Sequence, residues 1–248
     1  MNWKNMAAMS LILANVSTLA ANAQEARLQA DVGEDAPQTV TVRGIRDPAM
    51  APYADAYKML QTVRKTSGGT VDMVIRLLSA KSLQPIPDLE IFLQGETILK
   101  KLTLSPDGFL DVPMEEHYLD DKAEFLTNKK KGSVRVEFYF VPKLPQERMT
   151  YGDMLVSIIA AKRAIKEILP WYLRLLGSSI EEIHLCYPDK GRKIGLSNGE
   201  PATRSASREQ KSMLTKEIVY CAAFGAHEVS TAQDTVVTAP PGWVALFD

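Results

Sequence analysis

A chain of 248 residues with 46% hydrophobic and 24% charged side chains has enough apolar material for a sizeable core, which excludes wholesale disorder. A formal net charge of −1 gives no global attraction to nucleic acid or anionic lipid. At the N-terminus a weakly basic start at Lys4 leads into an apolar, small-residue run over 6–21. Ala21-Asn22-Ala23 then offers a small-x-small cleavage pattern before Gln24. This is the layout of a secretory signal peptide over 1–23, cut between Ala23 and Gln24, which predicts a periplasmic or secreted protein. An uncleaved signal acting as an anchor is the alternative. No later segment is predicted to span a bilayer. The best candidate, 154–176, carries Lys162, Arg163, Lys166, Glu167 and Arg174, and each such charge costs about 2.5–3.5 kcal/mol at the bilayer centre.

Residues 24–69 read as a polar stretch, a short strand at 39–43, and a helix. The helix is expected to start at Asp47-Pro48, to carry Tyr53, Tyr57, Leu60 and Arg64 at helical spacing, and to stop at Gly68-Gly69. From 70 to 142 the hydrophobic period changes from 3.6 to 2. Strands are predicted at 71–78, 89–93, 99–104, 109–112, 123–126 and 133–141. Ser105-Pro106-Asp107-Gly108 is a turn, because proline presets one dihedral and glycine accepts positive φ. A second turn is expected at Asn128 to Gly132, where Lys129, Lys130 and Lys131 read as a solvated gatekeeper against edge pairing, with contact to an anionic partner as the minor reading. Six short strands at regular turn spacing predict an antiparallel β-sandwich, transthyretin-like or Ig-like.

Leu-Glu-Ile-Phe-Leu at 89–93, followed by Leu-Thr-Leu-Ser-Pro-Asp-Gly-Phe-Leu-Asp-Val-Pro at 102–113, resembles transthyretin-like and carboxypeptidase-regulatory-like β modules. That resemblance implies an accessory folding or binding unit without catalysis, and no residue-level site to carry over. The chain as a whole resembles exported bacterial proteins.

After Pro142 the period returns to 3.6. Tyr151, Leu155, Ile158, Ile165, Leu169, Tyr172 and Leu176 fall on one face, predicting a long helix kinked at Pro170 and stopped at Gly177. Core packing against a sheet is expected for it, and a membrane-surface helix is the alternative. Strands follow at 183–187, 217–224 and 235–238, with a polar stretch to Lys211 and an apolar end at 243–247. The fold class is therefore α+β, a β-sandwich followed by a helix-plus-strand region over 150–248. Cys186 and Cys221 sit in two of those strands, and export makes a structural disulfide the default. Buried free thiols are the alternative, and redox chemistry is disfavoured because the spacing is not Cys-x-x-Cys.

Three clusters carry possible chemistry. Gly195-Leu-Ser197-Asn-Gly199 has the nucleophile-elbow pattern, and Glu209 or Glu217 and then His227 follow in hydrolase order. Yet the flanks are polar, and an Asn198-Gly199 hairpin turn is the expected form. Glu115, Glu116, His117, Asp120 and Asp121 concentrate metal-capable ligands without a recognised spacing, so a solvated acidic turn is expected and no metal site is assigned. His227-Glu228 reads as a lone pair at a strand end. No catalytic residue and no cofactor follow from this. The expectation is a non-catalytic periplasmic binding or assembly module, whose partner is an unidentified envelope protein or ligand and not nucleic acid. A periplasmic hydrolase using Ser197 or a metal near His117 is the alternative.

Overall fold

The computed structural model describes residues 48–146, 148–169 and 180–248. The expected signal peptide, the strand at 39–43, and the Pro170 kink with its Gly177 stop lie outside the described residues. The described chain is α+β, and every strand pairing in it is antiparallel.

The first half runs β1 (Pro48–Pro52), α1 (Tyr53–Ser67), β2 (Val71–Ser79), β3 (Ile91–Gln94), β4 (Leu99–Lys101), β5 (Phe109–Leu110), α2 (His117–Asp120), β6 (Glu124–Lys130) and β7 (Val134–Pro142). It forms two sheets, β1-β6-β3-β4 and β5-β2-β7. Ile91, Leu93 and Phe125 of the first and Ile75 and Leu77 of the second meet in one buried cluster, which Tyr53 and Tyr57 of α1 join. This is the expected sandwich-like arrangement, with the strand-helix unit ahead of it packed on its core.

The helix start is corrected. Asp47-Pro48 does not open α1, because Pro48–Pro52 pairs with β6 as a strand. The residue before a proline is pushed out of the α region, so Ala51 stays extended ahead of Pro52. Pro52 itself has ψ 132°, and the helix begins at Tyr53. Two prolines are tolerated in β1 because it lies at the sheet edge, where a missing N–H costs no ladder bond.

The Asp107-Gly108 turn forms as expected. Gly108 has φ 86°, its N–H donates to Ser105 O at 2.9 Å, and its carbonyl accepts from Leu77 N at 2.8 Å. A Cβ there would lie 2.5 Å from Leu77 O, so both conformation and space require glycine.

The second half runs β8 (Met149–Thr150), α3 (Tyr151–Ile168), β9 (Glu182–Tyr187), β10 (Arg192–Asn198), β11 (Glu200–Ala206), β12 (Arg208–Lys211), β13 (Ile218–Gly225), α4 (Ala226–Thr231), β14 (Val236–Thr238) and β15 (Val244–Phe247). Its sheets are β11-β10-β14-β8 and β12-β13-β9-β15. Helix α3 opens on a reciprocal cap. Asp153 N donates to Thr150 Oγ1 at 3.1 Å, and Thr150 N donates to Asp153 Oδ2 at 2.7 Å. Met154, Ile158, Ala161 and Ile165 are buried, so α3 packs one face into the core. Among the described residues no helix is long and apolar enough to cross a membrane.

The polar stretch between 188 and 211 is corrected to three strands, β10, β11 and β12. Within β10 only Ile194 is buried, and within β11 only Ala206. An exposed hairpin with few core contacts carries little hydrophobic alternation, and its pairing is set by the ladder and the Gly199 turn. No sheet among the described residues mixes strands of the two halves. The core nevertheless crosses the join, since Val63, Val71 and Met73 belong to the same buried cluster as Met154, Ile158, Leu185 and Phe224.

Candidate functional site

A concave feature lies inside the N-terminal sandwich. A cavity of about 570 Å³ opens between the two sheets where α1 leaves the edge strand β1. Strand alternation builds its walls. Ile75 and Leu77 point inward from β2, and Val134, Val136 and Phe138 point inward from β7. Ile91 and Phe125 close the opposite side, while Met50 and Met59 frame the mouth. The cavity is apolar because most of its lining side chains are aliphatic or aromatic, Leu110 of β5 among them. Polar groups on the lining are few: Thr127, Lys131 and Asp55. The Thr127 hydroxyl already donates to Lys129 O at 3.2 Å. Lys129, Lys130 and Lys131 form no ion pair among the described residues. Small-molecule sites are commonly concave, mostly apolar, and about 300–1,000 Å³ in volume, with a few convergent polar groups.

The elbow motif takes a different place. Ser197 lies inside the β10 ladder, opposite Pro201 and Val236, and is exposed. Gly199 has φ 84° and turns the hairpin, as expected for Asn198-Gly199. Glu209 and Glu217 are exposed, and so is His227 on α4. No hydrogen bond among the described residues links the Ser197 hydroxyl to any of them. Ser197 thus has neither the strand-to-helix turn nor the hydrogen-bonded base that activates a serine.

The acidic group around His117 is also dispersed. His117 Nδ1 lies 3.5 Å from Glu115 Oε2. Asp121 instead accepts from Thr97 N and Thr97 Oγ1, at 3.0 and 2.9 Å. Glu116 Oε1 accepts from the Tyr57 hydroxyl at 3.5 Å. These carboxylates serve separate partners and do not converge.

Two polar groupings were not read from the sequence. The first is on the outer face of the β12-β13-β9-β15 sheet. His184 is fully buried there, with Nε2 2.9 Å from Glu182 Oε2 and Nδ1 3.1 Å from Gln210 Oε1. Asp248 Oδ2 is 3.7 Å from His184 Nε2. Arg208 reaches across β13 to both acids, at 3.2 Å from Glu182 and 3.5 Å from Asp248. It can do so because Ala223 and Gly225 stand opposite His184 and Glu182 on β13 and leave a shallow trough. Glu182, His184 and Asp248 could ligate a metal by donor type. The Arg208 guanidinium lies within 3.5 Å of all three donors and joins Glu182, His184 and Asp248 in an ion-pair network at the end of the last strand. The alternation Glu182-x-His184 with Arg208-x-Gln210 was its legible signal, since each pair falls on one strand face.

The second grouping is Arg204, Glu228 and Tyr151. Arg204 Nη1 donates to Glu228 Oε2 at 3.0 Å and to Ala223 O at 2.6 Å, and Nη2 donates to Glu228 Oε1. Tyr151 OH donates to Glu228 Oε1 at 2.7 Å. The supposed lone His227-Glu228 pair is therefore split: His227 faces solvent and Glu228 pins α4 to the sheet. Burial pushes the Glu228 carboxyl up, but the hydrogen bonds from Arg204 and Tyr151 and the charge of Arg204 outweigh it, leaving Glu228 below its ordinary value. Glu182 is held low by its hydrogen bond to His184, against burial, with Arg208 assisting. Burial, followed by the hydrogen bond to Glu228, lifts Tyr151 to about 12.

The sign of the pH dependence follows. A carboxyl depressed in the folded state contributes stability that is fully present above the unfolded value of about 4.3 and is lost as pH falls through the folded value. Thermal melts from about pH 7 down to about pH 3 should therefore show Tm beginning to fall near pH ~4.3. Glu228→Gln should have a lower Tm at neutral pH and a shallower acid decline. A decline equally steep in that variant would remove Glu228 from the account.

No protein-family model matches the chain, and no curated protein or solved structure matches it either. Fold and geometry define the class, an antiparallel α+β protein with a disulfide between Cys186 and Cys221 and an apolar cavity inside its N-terminal sandwich.

Proposed function

We propose that this chain is an exported, non-catalytic binding module of the cell envelope, and that its ligand enters the sandwich cavity. The cavity itself carries the reading. About 570 Å³ of apolar space open to solvent is costly to leave unfilled, because its walls forgo contacts a denser core would make. The signal-peptide pattern over 1–23 and the Cys186–Cys221 disulfide support an oxidising compartment. The transthyretin-like and carboxypeptidase-regulatory-like resemblance supports an accessory role rather than a catalytic one.

The test uses the full chain and the neutral apolar dye N-phenylnaphthylamine. Saturable dye fluorescence is expected with the wild type. Val136→Trp should reduce it at least tenfold, because Val136 lines the cavity at a 37% exposed position where a large ring can enter without disturbing the fold. Circular dichroism confirms that the variant is folded, and Met59→Trp serves as a second block. Equal dye binding by wild type and both blocked variants would refute the cavity as the site. An intact mass beginning at Gln24, without alkylatable thiols, is the companion result expected for export.

A further inference from the structure

Resting on the cavity reading, we propose that the occupant is a single-chain anionic amphiphile, a long-chain carboxylate. Its tail lies between the sheets, and its head is held at the rim by Lys131, with Lys129 beside it. The tail assignment comes from the walls. Ile75, Leu77, Ile91, Phe125, Val136 and Phe138 offer no hydrogen-bonding side chain, so a polar ligand would lose its hydration without replacement. The volume suits one small molecule mostly enclosed by protein.

The head assignment comes from charge. Lys131 lines the cavity, and Lys129 lies on the same face of β6 as Phe125 and Thr127, which also line it. Lys130 stands opposite Pro48 and, by alternation, on the other face of β6. None of the three has a carboxylate partner among the described residues, whereas Lys100, Lys101 and Lys122 in the same sandwich each have one. The single acid on the lining, Asp55, belongs to the first turn of α1, where its charge complements the helix N-terminus. With Lys131 and the neighbouring Lys129 set against Asp55 alone, the rim carries a net positive charge. Ammonium groups on flexible stems can follow a head group that sits partly in water.

The experiment titrates the full chain with the fluorescent fatty acid cis-parinaric acid, its uncharged methyl ester, and a shortened homologous series of saturated acids as competitors. Expected are one acid per chain and up to roughly tenfold weaker binding of the ester, as two screened ion pairs together supply. Each methylene removed should weaken binding by up to about fourfold. K129Q/K131Q should reduce the affinity for the acid to that for the ester and leave the ester unchanged, whereas K130Q should change neither. Raising salt from about 0.02 to about 0.5 M should weaken the acid and spare the ester.

Equal affinity of acid and ester, with no effect of the lysine substitutions, would overturn the anionic head while leaving the cavity reading intact. Binding of neither, or binding that survives Val136→Trp, would overturn both. Capture of the acid only in the presence of anionic vesicles would also overturn it, since the lysines would then be serving a membrane surface.

Discussion

Removing the Cys186–Cys221 bridge, by reduction or in C186A/C221A, is expected to lower stability by about 3–4 kcal/mol. The two residues stand directly opposite each other in the β9–β13 ladder, with a sequence separation of 35. The closed loop contains β10, β11 and β12, which contribute little to the core beyond Ile194 and Ala206. That segment is held mostly by ladder hydrogen bonds, whose net contribution is only about 1 kcal/mol each. The bridge acts chiefly on the unfolded chain, whose freedom it removes. Two observations should therefore coincide on denaturant titration: a lower midpoint and a steeper dependence on denaturant, because the reduced unfolded chain expands and exposes more surface. A loss under about 1 kcal/mol would mean that the hairpin is already ordered without the link.

Arg76→Ala is expected to cost about 3–5 kcal/mol, as large as any single substitution in the chain. Arg76 is fully buried. Its Nε donates to Asp107 O at 2.7 Å and its Nη1 to Met213 O at 2.9 Å. The guanidinium lies 5.1 Å from the centre of the Phe109 ring. One side chain thus fastens the Asp107-Gly108 turn and reaches from the sandwich into the second half, across 137 positions of sequence. Truncation leaves two part-buried carbonyls without this donor and Glu137 without the cation opposite it in the ladder; Lys216, depressed first by burial and then by the charge of Arg76, would regain part of its basicity. Arg76→Lys should recover only part of the loss, because an ammonium cannot reproduce the forked donors. Denaturant midpoints measure both variants, and hydrogen exchange of the amide of Lys216, which donates to Ser212 O, reports loosening of the attached turn. A change under about 1 kcal/mol in Arg76→Ala would show that the two halves do not depend on this tie.

These two features differ in how visible they were. Cys186 and Cys221 lie in runs whose alternation already reads as strand, and two cysteines leave one intramolecular pairing. Arg76, by contrast, sits in an apolar strand as an ordinary charged residue, and nothing local says that its partners are the carbonyls of Asp107 and Met213. The same holds for Glu228, read beside His227 as a strand-end pair but placed by Arg204 and Tyr151 from distant elements.

What the amino-acid order determined by itself is local and periodic. It specified the switch from period 3.6 to period 2 at about 70, the Asp107-Gly108 and Asn198-Gly199 turns, the amphipathic α3, and the cysteine pair. Each depends on residues within a few positions of one another, where backbone dihedral preference and side-chain alternation act directly. What tertiary structure alone decided is convergence. Ala51 and Pro52 became an edge strand because β6 offered a partner. The polar hairpin of β10 and β11 formed because ladder bonds compensate for a missing apolar stripe. The cavity exists because side chains of both sheets and α1, far apart in sequence, line one space, and Lys131 reached it because the turn between β6 and β7 brought it there. Contacts between residues a hundred positions apart follow from packing the whole core, and no short window of sequence contains them.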